Sequence, residues 1–128
     1  MVKQLNPMYR ISKQFSFSAA HSLHELSPEH PCTRLHGHNY VITVHLKSEQ
    51  LNNTGFVCDY KELEKIKEYI DTHLDHQNLN DIMFPLNPSA ENLAKMLYDI
   101  FKPSFPQLYA VEVSETPKTS AVYEPESE

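Results

Sequence analysis

Two stretches of this chain alternate apolar and polar residues, and each carries histidine on its own period at one end. Tyr9, Ile11, Lys13, Phe15, Phe17 and Ala19 make the first run, with His21 next in step. Tyr40, Ile42, Val44 and Leu46 make the second, and its period runs backwards through His38 and His36. A period of two marks strands with one buried face. An antiparallel pairing of the two would bring His21 beside the other two imidazoles. His36-Gly37-His38 sets its rings on one side, about 7 Å apart at Cα, and Gly37 removes a side chain where the backbone could bend. Of the 8 histidines, five fall between His21 and His38.

The rest of the chain frames these strands. Residues 22–35, with Pro28 and Pro31, read as a loop. Asp59-Tyr-Lys-Glu62 has the form of a capping box, and Leu63, Ile66, Ile70 and Leu74 repeat at helical spacing to about residue 74. A second helix follows Asn87-Pro-Ser-Ala-Glu91, with Leu93, Met96, Leu97, Ile100 and Phe101 on its buried stripe, and Pro103 and Pro106 stop it. Closing strands are expected at about 108–116 and 119–124, turning through Thr116-Pro117-Lys118. The order β-β-α-α-β-β predicts an α+β fold, an antiparallel sheet with two helices on one face. Four strands leave open edges, so a homo-oligomer built by pairing copies is expected.

With 128 residues, the chain reads as one domain, 1–128, with loose ends at about 1–8 and 124–128. Two glycines exclude a Walker loop or a dinucleotide fingerprint. A net charge of −6 with 11 scattered Lys and Arg argues against a nucleic-acid partner. There is no apolar run for a signal peptide or a membrane span, and 2 cysteines are too few for a disulfide framework, which makes the cytoplasm the expected compartment.

Three neutral imidazoles with an open fourth position is the pattern of catalytic zinc, and the donor type favours zinc over magnesium or calcium. His24 or His30, in the loop, could each take the place of His21; His45 has the opposite parity and faces away. Cys32, four residues before His36, has three readings: a buried inert thiol, a fourth ligand closing a structural Cys-His₃ site, or a thiolate beside an open metal. Cys58 reads as core. Asp75-His76 follows the first helix, where the carboxylate can fix the imidazole tautomer; His73, one turn earlier, reads as solvated. Glu115 ends the stripe Tyr109, Val111, Val113, Glu115, which sends a carboxylate inward unless the strand has already ended. There it could accept paired hydrogen bonds from an N–H-rich ring.

Phe17-Ser-Ala-Ala-His21, Cys32-Thr-Arg-Leu-His-Gly-His38-Asn-Tyr, Val57-Cys-Asp-Tyr, Leu74-Asp-His-Gln-Asn-Leu-Asn80, Pro88-Ser-Ala-Glu-Asn92 and Glu115-Thr resemble, in order, the 6-pyruvoyltetrahydropterin synthase and 6-carboxytetrahydropterin synthase family. The blocks span about residues 9–124. The resemblance implies the tunnelling fold, or T-fold, with subunits closing strand to strand as trimers stacked into a homohexamer with intersubunit sites. It implies Zn²⁺ on His21, His36 and His38 and a dihydropterin triphosphate substrate. It further implies Cys32 as proton acceptor, His76 oriented by Asp75 as relay, and Glu115 on the pterin ring and in the relay. The spacing Cys-x₃-His-Gly-His resembles the carboxytetrahydropterin branch, lyases that feed 7-deazaguanine and queuosine synthesis. The segment Glu115-Thr-Pro-Lys-Thr-Ser-Ala-Val-Tyr resembles no single branch. Arg34, Lys118 and Lys61 are candidate holders of the triphosphate.

Overall fold

The computed structural model describes residues 7–126. Of the expected loose ends, 1–6 and 127–128 lie outside the described residues, while 7–8 and 124–126 carry neither helix nor strand. Strand β1 (Tyr9–His21) pairs antiparallel with β2 (His36–Ser48) along its whole length, from Tyr9 opposite Ser48 to His21 opposite His36. Helices α1 (Glu64–His73), α2 (Leu79–Met83) and α3 (Ala90–Phe101) follow, then β3 (Leu108–Thr116) and β4 (Thr119–Tyr123). The sheet is antiparallel throughout in the order β1-β2-β3-β4. The architecture is the α+β fold expected, with one more helix.

That extra helix, α2, is a single short turn capped by the Asn78 side chain, which accepts from the Asn80 amide. Five residues give no periodicity to read. The entry to α1 also differs from the expected box. Asp59 caps a 3₁₀ turn, Tyr60–Leu63, by accepting from the Lys61 amide, and the α-helix proper begins at Glu64.

Phe15, Phe17 and Ala19 of β1, with Tyr40, Ile42, Val44 and Leu46 of β2, form one buried face. Leu63, Ile66, Ile70 and Leu74 lie against it at no more than 1% exposure, so the expected helical stripe is the core stripe. On α3 the buried residues are Leu93, Ala94, Leu97, Tyr98 and Phe101. Ile100, expected on that stripe, is instead exposed, while Met96 is half-buried against the core. The apolar arc of α3 is rotated toward Ala94 and Tyr98, where Tyr98 packs edge-on to Tyr123 of β4.

Tyr109 also departs from expectation. A bulge between His45 and Leu46 sets His45 opposite Ala110 but Leu46 opposite Leu108, leaving Tyr109 as the extra residue. Leu108, Val111 and Val113 therefore face the core, and Tyr109 lies on the other face between the cations of Arg10 and Lys47. The apolar stripe of β3 survives because one residue is stepped over.

Candidate metal centre and active site

Full-length pairing of β1 with β2 ends by placing His21 directly across from His36, with His38 across from Ala19. Period two then turns all three rings to the helix side. His21 is 1% exposed. Its Nε2 lies 3.0 Å from His36 Nε2 and 3.1 Å from His38 Nε2. The rings meet nearly edge to face, with centroids 4.6–4.9 Å apart. Neither His24 nor His30 joins them. His24 is exposed, and His30 Nδ1 accepts from the Cys32 amide at 3.1 Å. His45 faces the other way and pairs with Glu112 at 3.2 Å.

The surroundings of the three rings fix what they can hold. His21 Nδ1 lies 2.7 Å from the Pro88 carbonyl and His36 Nδ1 lies 2.7 Å from the Arg34 carbonyl. A carbonyl only accepts, so both Nδ1 atoms carry their protons and both Nε2 atoms present lone pairs. Two lone pairs facing one another at 3.0 Å repel unless a cation lies between them. Tetrahedral zinc with bonds of about 2.0–2.1 Å sets its nitrogen ligands about 3.3 Å apart, close to this spacing. Backbone carbonyls that orient metal-binding imidazoles are the ordinary support of such a centre. Among the described residues these three side chains form the group able to hold a metal ion, their donor atoms all within 4.8 Å of one another. Burial, against the opposing pull of Glu115, lowers the His38 pKa from its usual value, which favours the neutral ring a metal requires.

The rim of the centre is built by the core below it. Tyr40 is fully buried, stacks on Phe17 at 5.0 Å, and sets its hydroxyl 3.1 Å from His21 Nδ1. Burial, then the nearby Glu115 carboxylate, push its phenol well above the usual range, so it remains a neutral hydrogen-bonding group. Glu115 is half-buried with Oε2 3.8 Å from His38 Nε2, so β3 does reach that far and turns this carboxylate toward the histidines. It lines an adjoining cavity of about 640 Å³ together with Leu23, Ser89 and Glu91.

Asp75 and His76 form a pair on the turn after α1. Asp75 Oδ2 lies 2.9 Å from His76 Nδ1, while Oδ1 accepts the Ser18 amide of β1 at 3.0 Å. The Ser18 N–H and then His76 hold the Asp75 carboxyl below the usual aspartate range. His76 sits at φ 60°, a left-handed backbone rare outside glycine, and its amide donates to the Ser18 carbonyl at 2.6 Å. Strain of this kind persists where neighbours over-determine it. The imidazole is exposed and shares a cavity of about 540 Å³ with His38, Gly37 and Asn39. Gly37 is not needed for a bend: its φ is not left-handed, and an added Cβ would meet the Ala19 carbonyl at an ordinary 3.7 Å. Its missing side chain helps keep that cavity open.

Cys32 is half-buried in the 3₁₀ turn Pro31–Thr33 and is not among the donors that converge on the metal position, so the closed Cys-His₃ site is not formed. Cys58 is buried, and burial followed by Glu62 and Asp59 pushes its thiol up, as suits a core residue. His73 is exposed and tilts against Tyr69. Pro88, Arg34 and Ser18 make these contacts through their backbone, which residue type alone does not reveal. No helix among the described residues is long and apolar enough to cross a membrane.

An antiparallel α+β sheet with three imidazoles converging at the end of its first strand pair defines a scaffold that could hold a metal ion. Residues 10–126 match the family model described as 6-pyruvoyl tetrahydropterin synthase. A 6-carboxy-5,6,7,8-tetrahydropterin synthase of Synechocystis sp. is 36% identical over 124 residues, covering 91% of this chain and 93% of that protein. A 6-pyruvoyl tetrahydrobiopterin synthase of Dictyostelium discoideum is 33% identical over 126 residues, covering 88% and 93%. The solved structure of the Caenorhabditis elegans 6-pyruvoyl tetrahydropterin synthase superposes with a TM-score of 0.83 at 31% identity, over 94% of this chain and 97% of that one. The chain belongs to the 6-pyruvoyl tetrahydropterin synthase family of enzymes and has its fold.

Proposed function

We propose that this single-domain chain is a zinc-dependent lyase that converts 7,8-dihydroneopterin triphosphate and one water to 6-carboxy-5,6,7,8-tetrahydropterin, acetaldehyde and triphosphate, in the 7-deazaguanine and queuosine route. The observation that carries the reading is the convergence of His21, His36 and His38, whose donor nitrogens lie within metal-ligand reach of one another. The Cys32-x₃-His36-Gly-His38 spacing and the likeness to the Synechocystis enzyme support this branch.

Zn²⁺ bound there would acidify the hydroxyls of the substrate side chain and the neighbouring C–H. The chain's own groups do the rest. Cys32, as thiolate, takes a proton from carbon and returns it elsewhere. His76, its Nδ1 held by Asp75, offers Nε2 to hydroxyl protons in the cavity shared with His38. Glu115 accepts paired N–H groups of the pterin ring and takes part in the relay. Arg34, Lys118 and Lys61 are the cations assigned to the triphosphate. The working form is a cytoplasmic homohexamer, a dimer of trimers with sites between subunits.

The deciding experiment supplies 7,8-dihydroneopterin triphosphate to the zinc-loaded protein and measures acetaldehyde. Acetaldehyde released in step with triphosphate is the expected result. Triphosphate release with a pyruvoyl product and no acetaldehyde would instead make the protein a 6-pyruvoyl tetrahydropterin synthase, the activity named for the Dictyostelium relative.

A further inference from the structure

After β1 ends at His21, the next three residues remain held as if by a further strand, although none is there. The Ser22 amide donates to Asn80 Oδ1 at 2.7 Å, and Asn80 Nδ2 donates back to the Ser22 carbonyl at 2.8 Å. Two residues on, the His24 amide donates to Asn87 Oδ1 at 2.7 Å, and Asn87 Nδ2 returns a bond to the His24 carbonyl at 2.7 Å. A carboxamide sets an acceptor oxygen beside an N–H donor much as a peptide edge does. Two of them, at alternate residues, substitute for the edge of a neighbouring strand.

Between the clasped residues, Leu23 turns its amide the other way and donates to the Cys32 carbonyl at 2.7 Å. On the far side of Cys32, the Arg34 carbonyl accepts His36 Nδ1. The turn that bears the thiol thus hangs between the Asn80–Asn87 clasp and a histidine of the metal centre. The clasps are themselves fixed. The Asn78 side chain accepts the Asn80 amide at 3.0 Å, and Asn92 Nδ2 holds the Asn87 carbonyl at 2.9 Å.

From this geometry we infer that Asn80 and Asn87 are positioning residues: by gripping the backbone at Ser22 and His24 they fix Leu23, and through it the place of the Cys32 thiol relative to the histidine centre. The inference rests on the reading of Cys32 as the thiolate base. It differs from a general structural role in what it spares. His21 and His36 are both held by the β1–β2 register, and neither imidazole bonds a clasp side chain. Metal binding should therefore survive their loss.

The test uses full-length Asn80→Ala and Asn87→Ala with the isosteric Asn80→Asp and Asn87→Asp. Each aspartate keeps the acceptor but turns a second, negatively charged oxygen on the carbonyl that the amide had served. Four quantities are measured: bound zinc per chain, kcat and KM on 7,8-dihydroneopterin triphosphate, alkylation of Cys32 by iodoacetamide followed on its own peptide, and amide hydrogen exchange over residues 22–34. Wild-type zinc content is expected, with kcat lowered about 10- to 100-fold, as a misplaced reacting group costs, and KM within about twofold. Exchange over 22–34 should rise about tenfold or more in every folded variant, the loss of one net hydrogen bond, and Cys32 alkylation should change with it. Wild-type exchange and alkylation in folded variants would overturn the inference. So would loss of zinc in parallel with kcat, which would make the asparagines supports of the metal centre. If the alanine variants do not fold, the aspartates carry the same reading. Cys32→Ala separates this idea from the one beneath it. Wild-type turnover in that variant removes Cys32 from the mechanism, and the clasp is then judged on exchange and alkylation alone.

Discussion

His21, His36 and His38 each do what their position on a strand period demands, which is why the order of residues alone points to them. Register and parity are properties of the sequence pattern once two strands pair. The choice among His21, His24 and His30 is made by the fold, because only strand pairing places His21 opposite His36. Two predictions belong at this scale. His36→Ala should lose both bound metal and turnover, measured by metal analysis and by triphosphate release; retention of full activity without metal would remove the centre from the chemistry. Asp75 gives the second. Its folded pKa is depressed by the Ser18 amide and by His76, so its stabilisation is complete above the ordinary aspartate value of about 3.9. That stabilisation disappears as pH falls through the lower folded value. Urea midpoints of wild type and Asp75→Asn should therefore differ at neutral pH and converge on acidification; a constant gap would show that the carboxylate charge is not what holds the turn.

At the scale of elements, the strands and the two longer helices are legible in the sequence and their details less so. Ile100 departs from its expected place because Ala94 and Tyr98, a small and an amphipathic residue, complete the buried arc of α3, and neither stands out by hydropathy. Tyr109 departs from its own because a bulge shifts parity without leaving any trace in composition. The asparagine clasps are invisible for a different reason: a carboxamide binding distant backbone has no periodicity at all. The packing itself is testable. Leu97 is fully buried between α3 and the sheet, so Leu97→Ala should destabilise by about 2–5 kcal/mol in chemical denaturation. A loss under about 1 kcal/mol would mean that the site collapses to fill the gap or that α3 contributes little to the core.

For the molecule as a whole, the sheet has two edges, β1 and β4, and no further strand pairs with β4 among the described residues. Mass measured at low protein concentration should give an assembly of chains, and the activity should dilute away with it. A monomer with full turnover would contradict sites shared between subunits. The β1 edge is not free along its whole length. The Ala20 amide donates to the Gln77 carbonyl, the Ser18 amide to Asp75 and the His76 amide to the Ser18 carbonyl, and Ala20 bridges to Asn78 in parallel. The turn that carries His76 is thus a doorstop on the edge. Any strand that paired with this edge from another copy would find Ser18 and Ala20 already taken, so the chain itself would set how far a neighbour could advance.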